Sequence, residues 1–117
     1  MSTVEDQPPP VTHDGPAMWP LVTRDVEVGF PHLEPERIAT VLSDMSERDR
    51  VGRARYGTPL QANNGRDPLV DACQELLDGA VYLRQAIVEA PPSPALNMLY
   101  RRLLHDVIEL RRLMPAR

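Results

Sequence analysis

Proline sets the limits on this chain before any other residue does. Thirteen of its 117 residues are proline, and each removes a backbone donor, fixes φ and is excluded from helices beyond their first turn. Seven of them (Pro8, Pro9, Pro10, Pro16, Pro20, Pro31, Pro35) crowd the first 35 residues, which predicts a disordered tail over 1–20 that adds nothing to a core. Leu21 to Phe30 then sets Val22, Val26 and Val28 against Arg24, Asp25 and Glu27, a partial alternation that reads as an extended arm over 21–34. The prolines beyond it are sparse and fall where helices start or stop.

Three helical windows follow. From Pro35, Ile38, Val41, Leu42 and Met45 recur at spacings of three and four, with Glu34 and Glu36 at the positive end of the dipole, predicting a helix over 35–55. Tyr56-Gly57-Thr58-Pro59 and Asn63-Asn64-Gly65 are turn formers and predict a loop of about ten residues. Asp67 then caps and Pro68 opens a second helix, whose apolar face holds Leu69, Cys73, Leu76, Ala80, Leu83 and Ile87, widened by Val70, Leu77 and Val81. Pro91-Pro92 stops it. Ser93 and Pro94 open a third, over 94–114, with a seam of Leu96, Leu99, Leu103, Val107, Leu110 and Met114. The expected fold is an all-α domain over 35–117, a three-helix unit in a bundle. Because the second helix is apolar over too wide an arc for two neighbours, the bundle is expected to be completed by a homodimer or homotetramer.

Charge and composition exclude several functions. Residues 1–35 carry one arginine, Arg24, against six acids (Glu5, Asp6, Asp14, Asp25, Glu27, Glu34), so at a formal charge of −4 the remaining chain is nearly neutral. That argues against a nucleic-acid-coating role, which needs a broad basic surface. A single cysteine, Cys73, excludes an internal disulfide or a cysteine-based zinc site. No apolar run approaches a membrane span, and no basic-then-apolar N-terminal segment suggests export, so a cytoplasmic protein off the membrane is expected.

The chemistry-bearing pattern lies on the second helix. Asp71, Glu75, Asp78 and Tyr82 follow at +4, +3, +4, one above another on one face. Like charges so stacked repel by a few tenths of a kcal/mol per pair, and a divalent cation would offset that. The first helix adds Asp44 and Glu47, three apart. The bland alternative for all these acids is a solvated helix face. Arg48, Arg50, Arg53, Arg55 and Arg66 flank the loop with few opposing acids, either as phosphate forks or as plain surface ion pairs. Tyr56 and Tyr82 would stack on a base or pack in a core.

Asp44-x-x-Glu47, a 27-residue interval and Glu75-x-x-Asp78 resemble the MazG-like all-α nucleotide pyrophosphohydrolases, whose signature is E-x-x-E, an interval of one or two dozen residues, then E-x-x-D on facing helices. Arg55-Tyr56-Gly57-Thr58-Pro59-Leu60 through Asn64-Gly65-Arg66-Asp67 to Tyr82-Leu83-Arg84-Gln85 is similar to small phage-encoded members. The two likenesses cover about 44–85. Asp44 stands where glutamate is usual, with Asp49 as an alternative first acid, and the family's usual fourth core helix is expected to be lacking or to be replaced through an oligomer partner.

The resemblance implies a Mg²⁺-dependent enzyme, with Mn²⁺ as a substitute, that hydrolyses a nucleoside triphosphate, deoxynucleotides foremost, to monophosphate and pyrophosphate. It implies metal ligands among Asp44, Glu47, Asp71, Glu75 and Asp78, catalytic roles for Glu47, Glu75 and Asp78, and substrate contacts from Arg53, Arg55, Tyr56, Asn64, Arg66 and Tyr82. The competing expectation is a non-catalytic helical protein–protein interaction module.

Overall fold

A computed structural model of the chain describes residues 9–10 and 15–115. It contains four helices: α1 (Trp19–Gly29), α2 (Pro35–Tyr56), α3 (Pro68–Glu89) and α4 (Pro94–Leu113). Each carries a proline in its first turn, Pro20, Pro35, Pro68 and Pro94, where the missing N–H would have had no helical acceptor anyway. The described residues contain no strand, only an isolated antiparallel bridge between Ala17 and Gln61. They divide at Arg66 and Asp67 into two units, one in which α1 packs against α2 and one in which α3 packs against α4.

The first unit corrects the reading of the N-terminal third. Residues 21–34 are not an extended arm: Leu21 to Gly29 belong to α1, so the described residues form four helices and not three. The alternation of Val22, Val26 and Val28 does not decide the conformation, because α1 also holds Trp19, Thr23 and Val26 at +4 and +3, and these three are its half-buried residues. Facing them, α2 has half-buried Ile38, Leu42, Met45, Asp49 and Gly52, again at alternating steps of four and three. The β-branched residues of α1 cost a few tenths of a kcal/mol each in helix propensity, whereas half-burying a Trp or Val returns on the order of 1 kcal/mol. Packing therefore decides the conformation. Pro31 ends α1 by disfavouring the helical region for Phe30, whose φ and ψ are −132° and 54°.

Residues 15–20 also depart from the tail expectation, since Trp19 and Pro20 are helical and Gly15–Met18 pairs with the loop after α2. The tail reading of residues 1–8 and 11–14 lies outside the described residues. The boundary expected between 34 and 35 is bridged by the packing of α1 on α2, and the segment expected as one domain over 35–117 divides at Arg66 and Asp67.

In the second unit, the sequence signals translate directly into structure. Asp67 Oδ1 accepts hydrogen bonds from the Leu69 and Val70 amides at 3.0 and 3.3 Å, and Ser93 Oγ accepts from Leu96 N at 3.2 Å. Cys73, Ala80 and Met114 are buried, with Leu76, Leu83, Ile87, Leu96, Leu103, Val107 and Leu110 half-buried around them. Gly79 marks the close approach of the two helices, for a Cβ there would stand 3.4 Å from Leu103 Cδ2. Tyr100 and Leu104 are half-buried, while Leu99, expected in the seam, is exposed. Of the residues that widen the α3 face, Val70 is half-buried while Leu77 and Val81 are exposed; these two and the exposed Val88 line, with Ala80, Tyr100 and Leu104, an open groove of about 460 Å³. Among the described residues no helix is long and apolar enough to cross a membrane.

Candidate functional site

Asp71, Glu75, Asp78 and Tyr82 lie on the uninterrupted α3, so the helical period stacks them along one face. Asp71 sits in the first turn, where the helix dipole favours an anion, and is half-buried. Glu75 and Asp78 are exposed. Among the described acids of this unit they are the two without a hydrogen bond or ion pair: Glu89 accepts from Gln85, Glu109 from Arg112, Asp106 lies 3.8 Å from His105, and Asp67 and Asp71 are engaged. Tyr82 is 67% exposed and packs in no core.

The acids of α2 belong to the first unit and differ from one another. Asp44 is exposed. Glu47 is held in a two-pronged contact, Arg50 Nε donating to Oε2 at 2.9 Å and Nη2 to Oε1 at 2.6 Å. Those hydrogen bonds, and secondarily the guanidinium charge, keep the Glu47 carboxyl below its ordinary range and push Arg50 up. Any cation at Glu47 therefore competes with Arg50. Asp49, the alternative first acid, falls on the stripe facing α1, with a side chain only 23% exposed, and accepts from Arg53 Nε at 3.0 Å. Of Asp44 and Asp49, Asp44 is the one open to a ligand.

The loop after α2 is built by its turn residues. Gly57, at φ 77°, caps α2 by donating its N–H to Arg53 O at 2.8 Å, a left-handed conformation that favours glycine. Asn63 is left-handed at φ 56°, which asparagine tolerates, and Asn64 Oδ1 accepts from Arg66 N at 3.1 Å in an Asx turn. Asn64 is thus a shaping residue of this loop whatever else it contacts. The Arg55 guanidinium lies 5.2 Å from the Tyr56 ring centroid, and Tyr56 is 67% exposed. Arg53 spends its Nε on Asp49, and Arg66 is half-buried.

Among the described residues no group of three or more His, Cys, Asp and Glu is placed to hold a metal ion. The donor chemistry of Glu75 and Asp78 nonetheless suits a cation that arrives with its ligand, because Mg²⁺ usually takes one or two carboxylates from a protein and completes its octahedron with waters and substrate phosphates. Two residues with structural weight escaped the sequence reading, Gly15 and Gln61. The only signal was the Asp14-Gly15-Pro16 turn former, and nothing local says what such a turn would meet. The chain matches no protein-family model, no curated protein and no solved structure.

Proposed function

We propose that the chain is a Mg²⁺-dependent nucleoside triphosphate pyrophosphohydrolase of MazG-like type, releasing monophosphate and pyrophosphate. The observation that carries this reading is the Glu75 and Asp78 pair, two exposed carboxylates one turn apart with no protein partner. Such a pair carries a small repulsive cost that a bound cation would reverse. Glu75 and Asp78 would hold the cation, with Asp71 one turn before them on α3. Bound Mg²⁺ supplies charge neutralisation of the phosphates and a lowered pKa for coordinated water. A carboxylate not committed to the cation accepts the proton of the water that attacks the α-phosphorus, and the α–β bridging oxygen leaves with pyrophosphate. Arg55 and Arg66, and Arg53 once released from Asp49, would neutralise the departing pyrophosphate through guanidinium forks. Tyr56 and Tyr82, both well exposed, are the side chains available to stack on a base.

The test is a screen of the common ribo- and deoxynucleoside triphosphates with pyrophosphate detection, with Mg²⁺ and with chelator. At least one nucleotide is expected to release pyrophosphate in a chelator-sensitive way, and Mg²⁺ is expected to raise the melting temperature by linkage. Silence across the screen together with a Mg²⁺-independent melt would sink the enzymatic reading. A second reading is favoured by a separate observation, the exposed Leu77, Val81 and Val88 beside the groove on α3 and α4. It makes the chain a helical interaction module, or a homo-oligomer built on that face.

A further inference from the structure

We infer that Gly15–Met18 is a strap that positions the 57–66 loop for a polyphosphate ligand, an inference that rests on the reading of Arg66 as a phosphate-contacting group and of Asn64 as a substrate contact. The strap runs antiparallel to the loop's middle. Met18 N donates to Leu60 O at 2.8 Å and Ala62 N to Pro16 O at 2.9 Å, on either side of the Ala17–Gln61 bridge. Gln61 Nε2 donates to Gly15 O at 3.1 Å, a bond between residues 46 apart in sequence. Met18 joins this pairing to a rigid element, because its carbonyl accepts from Leu21 N and Val22 N, at 3.0 and 3.2 Å, in the first turn of α1. The loop is thereby tied to a helix packed on α2, and not only to the ends of its own chain.

The residue at 15 is dictated by this approach. A Cβ on Gly15 would overlap the carbonyl oxygen of Ala62 and lie 2.8 Å from its carbonyl carbon. Both atoms are backbone, so a larger residue can be accommodated only by opening the pairing. Two residues beyond Ala62 begins the Asx turn that orients Asn64 and Arg66. Displacing Ala62 displaces that turn, and a misplacement of about 1 Å in a positioning group is enough to cost up to 10²-fold in rate or affinity.

The experiment compares the full chain with Gly15→Val and with Gly29→Ala, a control at which the new Cβ meets nothing within 4 Å. Hydrogen exchange is read at the Met18 and Ala62 amides, binding is read by titration with Mg²⁺ and inorganic tripolyphosphate, and steady-state kinetics use the nucleotide hydrolysed fastest in the screen. Gly15→Val is expected to speed exchange at both amides by about tenfold or more, as local opening does. It is also expected to weaken tripolyphosphate about tenfold and to raise KM, with kcat falling as well because Arg66 is placed on the departing pyrophosphate. Helix content and the melt stay as in the parent chain, and Gly29→Ala changes none of these. If Gly15→Val does not fold, Gln61→Ala removes the Gln61 side-chain bond to Gly15 O while leaving the residue at 15 unchanged, and is expected to move the same readouts in the same direction. Unprotected Met18 and Ala62 amides in the parent chain, or faster exchange with unchanged tripolyphosphate affinity and KM, would overturn the strap alone. A parent chain that neither binds tripolyphosphate nor releases pyrophosphate would overturn the proposed function along with the strap.

Discussion

Glu75 and Asp78 stand one helical turn apart, both exposed, and on the proposed reading it is a bound cation that offsets their repulsion. Removing one charge should cost the fold nothing and relieve a few tenths of a kcal/mol of repulsion. Glu75→Gln is therefore expected to keep the helical circular dichroism and the melting temperature of the parent, while pyrophosphate release falls by about 10²-fold or more, the scale of losing an essential acid–base or metal-holding group. Parental turnover in Glu75→Gln would show that the site is elsewhere. The stacking of these acids was legible in the sequence because the helical period is local and Asp67-Pro68 announces where it begins. The state of each acid was not. Asp44, Glu47 and Asp49 look interchangeable as letters, yet only the side-chain directions on α2 reveal that Arg50 grips Glu47, that Arg53 holds Asp49 on the half-buried stripe, and that Asp44 stays open.

For the elements, the prolines were the reliable guide: the second, third and fourth helices start at Pro35, Pro68 and Pro94, where the sequence places them. The first helix was missed although Pro20 gives it the same opening. Its valines fit a strand as well as a helix, and the deciding contribution, the stripe of Trp19, Thr23 and Val26 against α2, is tertiary. The strap on the 57–66 loop was invisible for a related reason, since a pairing between residues 46 apart leaves no periodic trace. Caps, in contrast, are written in the residues that make them. Asp67 accepts two orphan amides of α3, so Asp67→Ala is expected to cost about 1 kcal/mol and to lower the melting temperature by about 4–8 °C if the α3–α4 unit melts cooperatively. Asp67→Asn, which keeps the accepting oxygen, should stay near the parent. An unchanged melt in Asp67→Ala, measured by circular dichroism at 222 nm, would mean that α3 does not depend on its cap.

On the scale of the whole molecule, little apolar surface is fully covered among the described residues. The buried hydrophobic residues among those described are Cys73, Ala80 and Met114, while Val81 and Val88 are 65% and 72% exposed and Leu77 is 48% exposed beside them. An isolated valine in water needs no explanation, but Leu77, Val81 and Val88 follow one another along one helix and are continued by the half-buried Tyr100 and Leu104 around a groove of about 460 Å³, an apolar surface that a second copy could cover. The width of the α3 face was legible in the sequence; what covers it was not, because periodicity reports which side is apolar and not what meets it. A second copy pairing through the same face would make an isologous contact, in which each substituted position counts twice. The double variant Val81→Ser and Val88→Ser tests this without threatening the fold, since both side chains already face water in the single chain. If the groove self-associates, four valines leave the interface of a dimer at roughly 1 kcal/mol each, enough to weaken association by about 10³-fold. Light scattering at micromolar concentration should then report a multiple of 13.1 kDa for the parent chain and 13.1 kDa for the double variant, with equal helix content. A parent particle of 13.1 kDa would refute self-association through this face, and a double variant that keeps the parent's mass would place the contact on another surface.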